Sequence, residues 1–260
     1  MCVPWNKAEP RFLKQFPEWF AANKVRHNLT LYLEVNQSIH KVYDSAAAIA
    51  RTSGYSHVLF MEDDHWGWPA SGLEVLIQED KDVIGFHTYN RNYPYTSFAM
   101  RKADPKISFL EHEKNLLPHE KGAGPEVQET DLLTWAFTLV KTSVFDRMVA
   151  AEKFPFRQNG PAPNDSIFSQ YCEDIGISRH VHFGATIGHG KVKPEHILIM
   201  RRAHEAIMAA EGHFSKEAYP DPDDFDPDAS KPEPTIKPET IEAMERNEAA
   251  MAQLGLEVLA

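Results

Sequence analysis

Three consecutive carboxylates, Glu62-Asp63-Asp64, follow directly on the apolar run Val58-Leu59-Phe60-Met61. A short apolar run of this kind reads as a buried strand. The acids at its end cannot all stay buried and unpaired, because an isolated ionised carboxylate in an apolar medium costs many kcal/mol. They must face a cavity, a cationic partner or a metal ion. Carboxylates and water are the ligands that suit magnesium and manganese, and in an open α/β sheet ligands bind outside the carboxyl ends of the strands. The plainer alternative is a solvated acidic turn. His65-Trp66-Gly67-Trp68-Pro69 comes next, and its two tryptophans either pack in the core or wall a ligand. Two later residues carry chemistry of their own. Asp165 opens a helical stretch, where an N-cap is its ordinary use. His189 stands between Gly188 and Gly190, which permit close backbone approach.

The elements that must position these residues alternate. Residues 12–22 have apolar side chains at helical spacing, with Pro17 expected to interrupt them. Residues 29–35 alternate and are β-rich, so they read as a strand. Residues 38–52 form a helix stopped by Gly54. Residues 58–61 are the next strand, 73–79 a short helix, and 82–87 another strand. That order predicts an α/β domain with a mostly parallel central sheet flanked by helices. Only Met1-Cys2-Val3 precedes Pro4, which leaves a short or truncated first strand. Residues 92–130 are irregular and rich in Pro and Gly, a length usually reserved for function or mobility. Beyond them come a strand over 132–140, helices over 143–152 and 164–175, and a last strand over 180–187. Cys172 sits on the apolar face of its helix and reads as core.

The chain has 260 residues, of which 42% are hydrophobic, enough for a real core. The net charge of −11 sits almost entirely in the tail: from Glu205 onward there are 14 acids against 4 Lys or Arg. Residues 213–238 form an acidic Pro-rich linker that cannot bury enough apolar area to order itself, and 239–260 a separate amphipathic helix. No basic stripe of the nucleic-acid-binding kind is present. No run reaches the roughly 18–20 apolar residues of a membrane span, and the N-terminus lacks a signal pattern. Two cysteines predict a reducing, cytoplasmic setting.

The pattern resembles GT-A-fold glycosyltransferases of the family 2 type, in the compact versions found in bacteria and their phages. Four segments carry the resemblance: residues 58–64, similar to the DxD segment; 82–86 running on to Arg91; Asn164-Asp165-Ser166-Ile167-Phe168, similar to a Glu-Asp-x-x-Phe motif; and Thr186-Ile187-Gly188-His189-Gly190, similar to a late metal-binding histidine. Residues 1–212 would be the catalytic domain. By that resemblance Asp64 and His189 bind Mn²⁺ or Mg²⁺, with Glu62 as a further ligand. Glu62 and Asp63 hold the ribose or a metal-bound water. Pro4 and Trp5 frame the nucleotide pocket and Arg91 meets a phosphate. Asp165 is the acceptor's general base in an inverting reaction. Trp66, Trp68 and Trp135 are expected to contact donor sugar or acceptor, since sugars stack on aromatic faces. In the second helix Tyr43-Asp44 replaces the family's usual Arg-Asn.

The resemblance implies a nucleotide-sugar donor, a UDP-sugar first, and an acceptor that is a carbohydrate, a protein or a modified DNA base. Two other functions compete: a metal-dependent nucleotidyltransferase or phosphohydrolase, which would want a second acidic cluster, and an inactive GT-A-like binding module.

Overall fold

The computed structural model describes residues 1–190 apart from 6–7, 36, 91–96, 105, 107, 109–115, 120–123 and 157–163. Arg91, the linker over 213–238 and the helix expected over 239–260 lie outside the described residues.

Within them the protein is mixed α/β, with a mostly parallel central sheet flanked by helices. The chain runs β1 (Cys2–Trp5), α1 (Pro10–Lys24), β2 (Tyr32–Val35), α2 (Ile39–Thr52), β3 (His57–Phe60), β4 (His65–Trp66), α3 (Gly72–Gln78) and β5 (Val83–Thr88). It continues through β6 (Met100–Lys102), β7 (Leu116–Pro118), β8 (Val127–Thr130), β9 (Thr138–Lys141), α4 (Thr142–Ala150), α5 (Asn164–Asp174) and β10 (Arg179–His189). The sheet order is β2-β1-β3-β9-β5-β10-β4, with β8 also beside β10. Strands β1, β2, β3, β5 and β10 point the same way; β9 runs antiparallel between β3 and β5. Strands β3 and β10 therefore end at the same edge of the sheet.

Alternation along the strands divides the core in two. Cys2, Val58, Phe60, Val83 and Val140 join α2, α4 and α5 on one face. Val3, Leu59, Ile84, Phe86 and Leu139 join α1 and α3 on the other. Side chains on successive strand residues point to opposite faces, and helices cover both, so β3 reads as a continuous apolar run.

The first strand spans four residues and pairs with β2 and β3. Two expectations are revised. Helix α1 passes through Pro17. That proline withholds only the N–H that would bond the carbonyl of Leu13, and Leu13 is 45% exposed, so water can serve that carbonyl. Of the apolar run 132–140, only Thr138–Val140 extends, as the antiparallel β9; residues 132–137 thread through the interior.

Gly85 lies where β5 meets β9, opposite Thr138. A Cβ there would overlap the Thr138 hydroxyl and lie 3.1 Å from the Phe137 carbonyl oxygen. Backbone cannot yield cheaply in a packed sheet, so Gly85→Ala is expected to destabilise the fold by about 1–3 kcal/mol, read as a lower denaturation midpoint with an unchanged m-value.

Candidate functional site

The acids leave the end of β3, and the two residues after them, His65 and Trp66, form β4. That strand pairs antiparallel with the end of β10, setting His65 opposite His189 and Trp66 opposite Gly188. The backbone closes the junction: Gly190 N donates to the Asp64 carbonyl at 2.6 Å, and Glu9 N, just before α1, to the Asp63 carbonyl at 2.8 Å.

The Asp64 carboxylate reaches both imidazoles, one oxygen to each. Its Oδ1 is 3.0 Å from His65 Nδ1 and its Oδ2 is 3.3 Å from His189 Nε2. The rings stack with centroids 4.2 Å apart. Donor atoms of Asp64, His65 and His189 all fall within 4.8 Å of one another. His189 Nδ1 is 3.0 Å from the Tyr89 carbonyl oxygen. Donation there commits Nδ1 and leaves Nε2 as the ring nitrogen that meets Asp64, an arrangement typical of a histidine held for a metal. His65 is fully buried and His189 is 8% exposed. Burial pushes the Asp64 carboxyl up, but the hydrogen bonds and charges of His189 and His65 outweigh it and hold the group well below the usual carboxylate range.

Glu62 faces the opposite balance. Burial, then the charges of Asp64 and Asp165, push its carboxyl up to about 8. The Tyr43 hydroxyl donates to Glu62 Oε1 at 3.1 Å, and Oε2 lies 3.5 Å from His65 Nδ1. Tyr43 thus positions the Glu62 carboxyl group beside the triad. An acid with a raised folded value stabilises the fold below its ordinary value and loses that contribution as pH rises toward the folded one. In metal-free protein, stability should fall between about pH 4.5 and 8. Glu62→Gln should match the parent at pH 4.5 and exceed it at pH 8 in chemical denaturation.

The residues expected at the site fall into three groups. Asp64 and His189 meet, with His65 as the third donor instead of Glu62, which is one step removed and bound to Tyr43. Asp165, at the start of α5, is close enough for its charge to act on Glu62 and Tyr43. The helix start does not make it a weak base: burial raises its carboxyl above the ordinary value, outweighing hydrogen bonds from the backbone of Ser166 and of Asp165 itself. Pro4 is buried in β1, paired with Glu34; Trp5 ends the same strand.

Two of the three tryptophans are corrected. Trp68 and Trp135 are 2% and 1% exposed and offer no face to an acceptor. Trp66 is half-buried: Arg11 lies 4.5 Å from its ring centroid, its Nε1 donates to the Gly190 carbonyl at 2.8 Å, and a Cβ on Gly188 would collide with its ring. Its work is to join α1 to the β4–β10 junction.

One carboxylate and two imidazoles suit Mn²⁺, Fe²⁺, Co²⁺ or Zn²⁺; Mg²⁺ prefers an all-oxygen shell. The donor set thus fits one of the two expected metals, Mn²⁺, better than the other. Among the described residues this is the one such cluster, and no helix among them is long and apolar enough to cross a membrane.

No protein-family profile matches the chain, and neither does any curated protein. Among solved structures it is similar to the A197 protein from STIV, at 13% identity and TM-score 0.41, covering 74% of this chain and 84% of that one. It is also similar to a structure of GalNAc-T7 with UDP, GalNAc and Mn²⁺, at 11% identity and TM-score 0.39, covering 95% of this chain. The chain spans 48% of the length of that second structure. The functional reading therefore rests on the site's own geometry.

Proposed function

We propose that the protein is a GT-A-like, metal-dependent glycosyltransferase that moves a sugar from a nucleotide-sugar, a UDP-sugar first, to an acceptor hydroxyl. The observation that carries this reading is the triad of Asp64, His65 and His189, closed by the β4–β10 pairing at the carboxyl edge of a mostly parallel sheet. The four ordered segments of the sequence resemblance support it.

Asp64, His65 and His189 would hold the cation, supplied as Mn²⁺. Bound there, a divalent ion neutralises the charge that develops on a nucleoside diphosphate leaving group. Asp63 and Glu62 stand on the same turn for the ribose hydroxyls. Asp165 takes the acceptor's proton: its raised carboxyl is a better base than an exposed aspartate, and a positioned base contributes about 10²–10⁴-fold. The triad also suits a metal-dependent phosphohydrolase, since a His₂-carboxylate set is one catalytic zinc arrangement.

Thermal denaturation with UDP, GDP or CMP, each with and without Mn²⁺, tests the reading. A ligand at about 100 times its Kd stabilises by about 2.7 kcal/mol. The expected result is a shift that requires nucleotide and metal together. No shift with any nucleotide overturns it, and consumption of a phosphoester without a sugar acceptor favours the hydrolase.

A further inference from the structure

We propose, resting on the reading of Asp64, His65 and His189 as metal ligands, that His182 is a positioning residue: it holds the bulge in β10 that brings His189 to Asp64. Strand β10 runs in register with β5 from Arg179 opposite Val83 to His182 opposite Phe86. The next residue of β5, His87, is paired with Thr186, so Phe183, Gly184 and Ala185 are passed over. An odd number of extra residues reverses the alternation of side chains across a sheet. Val181 and Phe183 join the core beside α2, α4 and α5, whereas Ile187 joins the one beside α1 and α3. The reversal carries on to His189. Without the bulge His189 would stand on the other face and about 10 Å farther along, at about 3.3 Å per strand residue, out of reach of Asp64.

The bulge is held at its root by an imidazole. Gly184 N donates to His182 Nδ1 at 3.0 Å, and Phe183 N donates to the Glu126 carbonyl at 2.7 Å. A Cβ on Gly184 would collide with the His182 ring, so the two residues fit only as glycine against imidazole. Beyond the bulge, Thr88 Oγ1 donates to the Ile187 carbonyl at 2.9 Å, and His87 Nδ1 lies 3.3 Å from Thr186 Oγ1. These bonds fasten the strand in its shifted register.

The bond to Gly184 requires a ring nitrogen that accepts. A neutral imidazole with its proton on Nε2 supplies one at Nδ1. His182 is buried, and its ring meets that of Phe86 edge-on with centroids 5.3 Å apart. Burial holds it below its ordinary value, outweighing the charges of Glu126 and Glu79, so it is neutral near pH 7. Glu126 Oε1, 4.0 Å from Nδ1, is beyond hydrogen-bond distance and leaves that nitrogen to Gly184. A leucine at this position fills space but accepts nothing. An asparagine places its Oδ1 near the position of Nδ1 and can take the same proton.

Nuclear magnetic resonance of the metal-free full chain with ¹⁵N-labelled histidine tests this role. The parent should show His182 bare at Nδ1 and protonated at Nε2, and a His189 Nδ1 proton shielded from exchange by the Tyr89 carbonyl. His182→Leu should speed exchange of that proton at least about tenfold, and His182→Asn should restore its protection. With Mn²⁺ added, His182→Leu should bind about 10–100-fold more weakly, the usual effect of losing a residue behind a metal ligand. It should also lose one imidazole nitrogen from the Mn²⁺ hyperfine spectrum, and His182→Asn should recover both. A proton on His182 Nδ1 in the parent, or a leucine variant that keeps both the His189 protection and the two nitrogens, overturns the proposal. If the parent takes up no Mn²⁺, the glycosyltransferase reading fails, while the metal-free spectra still decide the role of His182.

Discussion

Replacing Asp64 with alanine is expected to abolish metal-dependent nucleotide binding. Both oxygens of this carboxylate are in use, one toward each imidazole. Residues that only support a metal ligand typically contribute 10–100-fold to affinity, so loss of a direct ligand should weaken Mn²⁺ at least about 100-fold. The measurement is calorimetric titration of Mn²⁺, with thermal denaturation in nucleotide plus Mn²⁺ as second readout. Asp64→Asn should fail in the same way although it keeps the shape, because two imidazoles and a neutral amide lack the charge that the cation requires. Asp64 also contributes to stability through its lowered carboxyl. That contribution is present above the ordinary aspartate value near pH 3.8 and is lost as pH falls below it. The metal-free alanine variant should therefore lose less stability on acidification than the parent.

The second large effect is on the fold. Trp135→Ala should cost about 3–5 kcal/mol, the usual range for deleting a fully buried aromatic. Its ring packs against Phe60 at 4.9 Å, Phe168 at 4.9 Å, Phe156 at 5.3 Å and Tyr43 at 5.6 Å. Denaturant titration should show the loss directly. Trp135→Phe should recover much of the stability and leave acceptor KM unchanged. A raised KM with near-normal stability would instead restore Trp135 to the role of an acceptor platform. Tyr43 links the two predictions, since it packs on Trp135 and donates to Glu62, so damage to this core reaches the acidic site.

What could be read from residues alone follows the range of the interactions. Val58 to Met61 announces a strand covered on both faces because burial is written into consecutive side chains, and the acids after it announce a site because they cannot be buried unpaired. His65 was visible only as a neighbour of those acids. Its place beside Asp64 and His189 depends on a two-residue strand pairing with a partner 124 positions away, and no local periodicity encodes that pairing. Trp135 misled for the same reason: an apolar run looks alike whether it extends as a strand or threads the core. Glu74 is buried with its Oε1 2.9 Å from His27 Nε2, and neither residue gave a signal. A lone Glu on a short helix reads as surface until packing buries it. Asp165 was legible as a helix-start acid, while its raised carboxyl reflects burial, which only the fold creates.

The central claim is that Asp64, His65 and His189 hold a divalent cation that meets a diphosphate. Electron paramagnetic resonance of the protein with one equivalent of Mn²⁺, before and after addition of UDP, tests it most directly. The account predicts a single bound ion whose hyperfine spectrum contains two imidazole nitrogens, one of them lost in His65→Ala, with ³¹P coupling appearing when UDP is added. Bound Mn²⁺ without imidazole nitrogen, or without ³¹P coupling at saturating UDP, would contradict it.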